Sequence, residues 1–110
     1  MTRIETSLMP GLPDIVMQDE KGLFHFIELK HTMGRAVDLS PHQVVWLDNH
    51  KSGSAWIMVR RSGPKEPDTI RVYHASAAME ARMHGIDFPP ELLSEEPYDW
   101  AEIMGLIAPV

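Results

Sequence analysis

The segment GLPDIVMQDEKGLFHFIELK, residues 11–30, decides the fold of this chain. It contains two runs rich in residues that favour β-structure, 13–18 and 23–30, separated by the polar turn 19–22, which ends in glycine. Proline is tolerated at the first position of a strand, so Pro13 agrees with this division. The segment therefore predicts a β-hairpin.

Charged side chains stand near the ends of both predicted strands. Side chains alternate between the two faces of a strand, so Glu28 and Lys30 share one face, together with two phenylalanines. Leu29 lies between them, and we expect it to point into the core and fix the strand. Hairpin pairing would bring Asp14 opposite residues 27–29. Such charges are either a solvated pair at the edge of the sheet or ligands that two strands deliver to a metal ion.

The second interpretation describes an all-oxygen metal site. Asp14, Glu28 and the backbone carbonyl of Leu29 would supply the oxygen ligands that Mg²⁺ or Mn²⁺ prefers. Lys30, beside them, could orient a water molecule, help to deprotonate it and stabilise charge on a phosphoryl oxygen. Gln43 lies in the first turn of the next predicted helix, where the helix dipole favours an anionic ligand.

That helix has clear boundaries in the sequence. Ser40 can cap it, Pro41 suits its first position and Gly53 can end it, which predicts a helix over residues 40–53. The other predicted elements are a loop at 31–39, a strand at 54–61, a turn at 62–68, a strand at 69–75 and a helical stretch at 76–85. The predicted class is α/β, a mixed β-sheet with a central helix, followed by a helical acidic C-terminal tail.

The negative charge is concentrated in this tail. The net charge of the 110 residues is −6, yet residues 1–74 contain nine basic and nine acidic residues, whereas residues 75–110 contain one and seven. The net charge is therefore no argument against a nucleic-acid partner for the rest of the chain. The tail also carries apolar residues around Trp100 and Ile107, which could pack on the core or form a dimer interface.

Length and composition restrict the class of protein. The length suits a single domain, and the absence of cysteine excludes disulfide bonds and cysteine-ligated zinc. No apolar run approaches the roughly 20 residues that a membrane span needs, and the N-terminus lacks a signal-peptide pattern. We expect a cytoplasmic protein with no membrane partner.

Three short motifs, taken in order, resemble the PD-(D/E)XK nuclease superfamily. They are Gly-Leu-Pro-Asp at 11–14, Ile-Glu-Leu-Lys at 27–30 and Leu-Ser-Pro-His-Gln at 39–43, and the resemblance covers about residues 3–60. It is closest to the VRR-NUC-type and small phage-encoded nucleases, which include Holliday-junction-resolvase-like enzymes. The resemblance implies a restriction-endonuclease-like sheet and, if the chain is phage-encoded, a location in the host-cell cytoplasm.

The resemblance also implies domain boundaries and an activity. Residues 1–78 would form the nuclease core, and residues 79–110 would be the helical acidic tail of the same domain, used for packing or dimerisation. The activity would be endonucleolytic hydrolysis of DNA phosphodiester bonds with Mg²⁺, for which Mn²⁺ would substitute. Structure-specific cleavage is one form that this activity could take.

The family pattern assigns roles to individual residues. It makes Asp14 and Glu28 metal ligands, Lys30 the catalytic lysine, and Gln43 an active-site residue that positions the water or the phosphate. Family members commonly supply a further acidic residue from an N-terminal helix, for which the 13 residues before Asp14 leave no room. Glu5 is the only acidic residue there. Either Glu5 or a second subunit would complete the site, or Glu5 is an ordinary surface residue.

Basic residues outside the motifs are candidates for DNA contacts, namely Arg60, Arg61, Lys51, Arg35 and His31. The small size and the apolar tail helix favour a homodimer, and no small-molecule cofactor is expected. The alternative function is a catalytically inactive nucleic-acid-binding or interaction module of the same fold. The short N-terminal segment and the acidic total motivate that alternative.

Overall fold

Six strands form one mixed sheet in the part of the chain that the structure, a computed structural model, describes: residues 2–3, 11–64 and 66–109. The elements, in chain order, are β1 (Thr2–Arg3), β2 (Ile15–Gln18), β3 (Phe24–Thr32), α1 (Pro41–Asn49), β4 (Ala55–Gly63), β5 (Glu66–His74), α2 (Ala78–His84), β6 (Leu92–Glu95) and α3 (Trp100–Ile107). Two short 3₁₀ turns, Ala75–Ala77 and Gly85–Asp87, flank α2. This architecture confirms the predicted α/β class.

Strands adjacent in the chain are adjacent in the sheet. All neighbouring pairs are antiparallel except β3 and β4, which run parallel. A parallel pair needs a crossover connection, and α1 provides it. The mixed sheet with a helix between its central strands therefore agrees with the prediction.

The predicted hairpin is confirmed. Ile15 of β2 pairs with Ile27 of β3, and the turn between the strands is closed by the carboxylate of Asp19. One oxygen of that carboxylate accepts the backbone N–H of Lys21 at 2.8 Å and that of Leu23 at 3.0 Å. The strand β3 is longer than predicted and takes up the first two residues of the expected loop at 31–39, because its parallel pairing with β4 continues to Thr32.

α1 begins where the sequence predicts and ends earlier. The Ser40 hydroxyl accepts the N–H of Gln43 at 3.1 Å, while the Gln43 side-chain oxygen accepts the N–H of Ser40 at 2.9 Å, which is a capping box. The predicted end at Gly53 is wrong. The last helical residue is Asn49, because His50 turns its own N–H back to the carbonyl of Leu47 at 3.1 Å and leaves the helix.

The connection between β4 and β5 is much tighter than the predicted turn at 62–68. β4 continues to Gly63 and β5 begins at Glu66, with a shift of register between Arg61 and Gly63. Pro67 is tolerated in β5 because it lies at this irregularity, where no residue of β4 is paired with it.

The C-terminal region contains a strand that the sequence analysis missed. Leu92–Glu95 pairs antiparallel with β5 as β6, so the tail at 79–110, predicted as helical, contains a strand as well as helices. The four residues of β6, Leu-Leu-Ser-Glu, show no clear alternation of apolar and polar side chains. Their extended conformation is imposed by pairing with β5. The predicted apolar helix near the C-terminus is confirmed as α3, whose first turn is capped by the Asp99 carboxylate.

Each face of the sheet has its own core. α1 and α2 cover one face, where Val44, Leu47, Ile57 and Val59 are buried, among others. α3 covers part of the other face, where its Ile103 and Ile107 pack on the side chains of Ile27, Ile70 and Val72. In the C-terminal region Leu93 and Trp100 remain exposed, and homodimerisation through this region stays a prediction.

A part-buried hydrogen-bond network fastens α3 to the hairpin. The Ser54 hydroxyl donates to the carbonyl of Ile107 at 3.1 Å, accepts the indole N–H of Trp56 at 2.8 Å and lies 2.6 Å from Nδ1 of His25. Nε2 of His25 lies 2.8 Å from the Asp19 carboxylate. Three partners surround the hydroxyl, so this Asp-His-Ser series holds elements together and does not present a nucleophile.

Ser54→Ala is expected to lower the free energy of unfolding by about 2 kcal/mol, because it leaves the partners of the hydroxyl without a hydrogen bond in a part-buried location. Urea denaturation measures the change. The matched control is Ser52→Ala, at an exposed position two residues earlier, with an expected effect of no more than about 0.5 kcal/mol. Equal effects of the two substitutions would contradict this role for Ser54.

Candidate functional site

Two carboxylates meet where β2 and β3 lie side by side. The register that pairs Ile15 with Ile27 puts Asp14, the residue before β2, opposite Glu28, as predicted. A carboxylate oxygen of Asp14 accepts the backbone N–H of Leu29 at 2.9 Å. Glu28 points to the face covered by α1 and is only 3% exposed. The hairpin thus holds one carboxylate on each of two adjacent chain segments.

Gln43 joins Glu28 to Lys30. Its side-chain nitrogen donates to Oε2 of Glu28 at 3.0 Å, and its side-chain oxygen accepts a hydrogen bond from Nζ of Lys30, also at 3.0 Å. The same oxygen accepts the N–H of Ser40 in the capping box. Lys30 and the N–H of Ser40 donate to the amide oxygen, and Glu28 accepts from the amide nitrogen, so the orientation of the Gln43 amide is determined. The cap of α1 therefore also aligns the acid and the lysine, and we call Asp14, Glu28, Lys30 and Gln43 the β3 site.

The electrostatics of the β3 site favour a cation. Burial raises the pKa of Glu28 to about 8, and the neighbouring Asp14 adds to the rise, both as a hydrogen-bond partner of the protonated acid and by charge repulsion. Lys30, whose Nζ lies 3.8 Å from Oε2 of Glu28, acts in the opposite direction. One ammonium group does not compensate two adjacent carboxylates, one of them buried.

The prediction that Leu29 points into the core is wrong. Its side chain is 41% exposed, because α3 packs on Ile27 and does not extend over the next residue on that face. Leu29 fixes the strand through its backbone instead, by the N–H that binds Asp14. In an extended strand the N–H and C=O of one residue point to the same side. The Leu29 carbonyl, predicted as a metal ligand, therefore points to the side of β3 where Asp14 lies.

Gly11 and Pro13 position Asp14, which the sequence analysis did not recognise. Gly11 has a positive φ of 88° and touches the first turn of α1, where an added Cβ would stand 2.7 Å from the carbonyl carbon of His42. The side chain of Pro13 is fully buried. The segment is thus clamped between α1 and β3. The Gly-Leu-Pro-Asp motif itself was the signal in the sequence, since a glycine permits such a close approach.

Each of the candidate DNA-contacting residues pairs with another side chain of the protein. The Arg35 guanidinium donates to Asp87, and the remaining pairs are Lys51 with Asp48 at 3.2 Å, Arg60 with Asp68 at 2.7 Å, Arg61 with Glu66 at 2.5 Å, and His31 with the Ser62 hydroxyl at 2.6 Å. None of these contacts joins the β3 site. DNA contacts by these residues stay a prediction.

Two of the predicted metal ligands are side chains of the β3 site. Within the described ranges, no group of three or more histidine, aspartate or glutamate side chains is placed to hold a metal ion. Glu5, the candidate third carboxylate, lies outside the described residues. Asp14 and Glu28 with the Leu29 carbonyl still form an oxygen-only donor set, which fits a hard divalent cation that displaces the proton of Glu28.

Comparisons with protein-family models, with curated proteins and with solved structures find no match to this chain. Among the helices that the structure describes, none is long and apolar enough to cross a membrane. A conclusion about function therefore rests on the chemistry and geometry of the β3 site.

Proposed function

We propose that this chain is a metal-dependent nuclease of the PD-(D/E)XK type that hydrolyses DNA phosphodiester bonds. The observation that carries the proposal is the connected series Asp14, Glu28, Gln43 and Lys30, which three chain segments bring to one place. Asp14 belongs to the first of the three motifs, Glu28 and Lys30 to the second, and Gln43 to the third. A mixed sheet with α1 between the parallel strands β3 and β4 agrees with the fold that the resemblance implies.

The burial of Glu28 argues against the simpler interpretation of a solvated charge pair. A carboxylate at the edge of a sheet that only met water would be exposed and would have an ordinary pKa. Here the side chain is buried beside a second carboxylate, and its pKa rises to about 8. Placing like charges together in a buried position costs free energy, and such arrangements concentrate at functional sites.

The donor set suits Mg²⁺, with Mn²⁺ as a substitute. Asp14, Glu28 and the backbone carbonyl of Leu29 would hold the ion. A bound Mg²⁺ would lower the pKa of the attacking water and neutralise charge on the scissile phosphate. Glu28 keeps its carboxylate aligned through the amide of Gln43, and Asp14 through the N–H of Leu29.

Lys30 supplies the positive charge and the hydrogen-bond donors of the chain itself. Gln43 accepts one hydrogen bond from its ammonium group, which leaves further donors for the water or for a phosphoryl oxygen. The side chain of Lys30 is partly open to solvent, so a phosphate can reach it. Holding the ammonium group in place before the substrate arrives reduces the reorganisation that the reaction needs.

A cleavage assay tests the proposal. Labelled single-stranded, duplex, flap and four-way-junction DNA are incubated with Mg²⁺, Mn²⁺ or EDTA. We expect metal-dependent products, and we expect Lys30→Ala to lower the cleavage rate by about 100-fold or more. Lys21→Ala, in the exposed hairpin turn, is the matched control and should change the rate by no more than about 2-fold.

Two results would contradict the nuclease proposal. One is the absence of products from every DNA with both metals, and the other is equal cleavage by the Lys30→Ala variant and the wild type. The first result, combined with DNA binding in EDTA, would support the alternative of an inactive nucleic-acid-binding module of this fold. The observation that favours this alternative is that no third carboxylate joins Asp14 and Glu28 among the residues that the structure describes.

A further inference from the structure

A pocket opens at the end of α1 opposite the β3 site. Its volume is about 230 Å³, and it lies where β3 begins and α1 ends. The rings of Phe24, Phe26 and His50 line it, together with Asn49 and residues 52–55. Phe24, the first residue of β3, is 54% exposed. No part of the β3 site lines this pocket.

The aromatic rings beside the pocket are held rigidly. His50 stacks on Trp46 with a centroid distance of 3.8 Å and an interplanar angle of 12°. Phe26 meets Trp46 edge to face at 5.2 Å. Nδ1 of His50 lies 2.6 Å from the carbonyl oxygen of Trp46, which fixes the proton on Nδ1 and leaves Nε2 of the neutral ring as an acceptor. Rigid aromatic rings stack on a planar ligand with little loss of conformational entropy.

The charges around the pocket disfavour a phosphate. The pocket lies at the C-terminal end of α1, where the backbone carbonyls carry partial negative charge. The nearby Lys51 is paired with Asp48 at 3.2 Å. A neutral ring whose edge donates hydrogen bonds is the complementary ligand, since Nε2 of His50 and the Asn49 amide oxygen can accept them.

The pocket and the β3 site lie on the same face of the same strand. Phe24, Phe26 and Glu28 occupy every second position of β3 and therefore share one face. Phe24 and Glu28 are about 13 Å apart along the strand. A few nucleotides of an unpaired strand cover that distance. A base in the pocket would therefore belong to the strand whose phosphate reaches Lys30.

We propose that this pocket binds an unpaired nucleobase that carries an amino group, and that the substrate has a single-stranded segment next to the scissile phosphate. The location next to the cleaved bond rests on the proposed nuclease function. The binding of the base does not, because none of the residues of the β3 site takes part in it.

Binding in EDTA tests the pocket without cleavage. Fluorescence anisotropy measures the Kd of short labelled oligo(dC) and oligo(dT), a pyrimidine pair of which only the first has an amino group. We expect tighter binding of oligo(dC). Phe24→Ala should weaken it about 10-fold, and Phe24→Trp should restore it to within about 2-fold. Leu23→Ala, the exposed neighbour on the other face, is the matched control and should leave the Kd unchanged.

Three outcomes would overturn the pocket proposal. They are equal affinity for oligo(dC) and oligo(dT), equal Kd values for Phe24→Ala and Leu23→Ala, and binding of free dCMP as tight as that of oligo(dC). The last result would indicate a nucleotide site in place of a strand site.

The two proposals fail in different ways. If Phe24→Ala loses affinity for oligo(dC) but the wild type shows no metal-dependent cleavage, the pocket proposal is supported and the nuclease proposal is contradicted. If cleavage depends on Lys30 but is unaffected by Phe24→Ala, the pocket proposal is contradicted and the nuclease proposal is supported. If both hold, Phe24→Ala raises KM for substrates with a single-stranded segment and leaves kcat unchanged.

Discussion

Replacing Glu28 by glutamine is expected to stabilise the metal-free protein at pH 8, by on the order of 3 kcal/mol, and to abolish its binding of divalent cations. Burial and the neighbouring Asp14 raise the pKa of Glu28 from 4.5 to about 8 in the folded chain. The folded state therefore holds this proton more tightly than the unfolded state does. The resulting stability is complete below about pH 4.5 and is lost as the pH rises to about 8.

A glutamine at this position imitates the protonated acid at every pH. Its oxygen can still accept from the Gln43 amide, and its own N–H can donate to Asp14, so the hydrogen bonds of the β3 site survive. The groups that bear on this titration are Asp14, Lys30 and the neutral Gln43. If the folded protein is more stable without the charge on Glu28, this charge lowers stability and is retained for binding.

Urea denaturation in EDTA at pH 5 and pH 8 measures the effect. The wild type should lose stability relative to Glu28→Gln between these two values, and added Mg²⁺ should restore it in the wild type alone. Glu20→Gln, in the exposed hairpin turn, is the control for a simple change of net charge. The same pH dependence in the wild type and Glu28→Gln would show that Glu28 is not the group responsible.

The parts of the site that follow from local rules could be predicted from the sequence. Alternation along an unbroken strand puts Glu28 and Lys30 on one face whatever packs above them, because the period of two is a property of the backbone. A serine, a proline and Gln43 at the proper spacing begin a helix, and the same capping box that starts α1 turns the Gln43 amide towards Glu28. Here the local signal and the functional geometry coincide.

The errors concern features that distant residues decide. Leu29 looked like a core residue, yet its exposure depends on how far α3 extends over the opposite face of the sheet. β6 has no pattern of its own and exists because the edge of β5 offers it hydrogen bonds. Gly11 was noted only as part of the Gly-Leu-Pro-Asp motif, whereas its role depends on contact with His42, 31 residues later in the chain. Local propensity contains no information about these contacts.

Gly11→Ala is expected to lower the free energy of unfolding by about 3 kcal/mol or more and to weaken Mn²⁺ binding at the same time. At its φ of 88° an alanine is strained, and the new Cβ would overlap the carbonyl of His42. The chain can relieve the overlap only by moving the segment that ends in Asp14 away from α1. Because Gln43 is the next residue of that helix, the same movement separates Asp14 from the other residues of the β3 site.

Gly22→Ala separates the two causes. Gly22 has a similar φ of 82°, but an added Cβ would meet only the side-chain nitrogen of Gln18, at 3.6 Å. Backbone strain alone should lower the free energy of unfolding by about 1 kcal/mol and leave Mn²⁺ affinity unchanged, since this turn is at the far end of the hairpin. Denaturation and isothermal titration calorimetry with Mn²⁺ compare the two variants. Equal losses of stability, with Mn²⁺ affinity intact in both, would mean that the contact of Gly11 with α1 does not position Asp14.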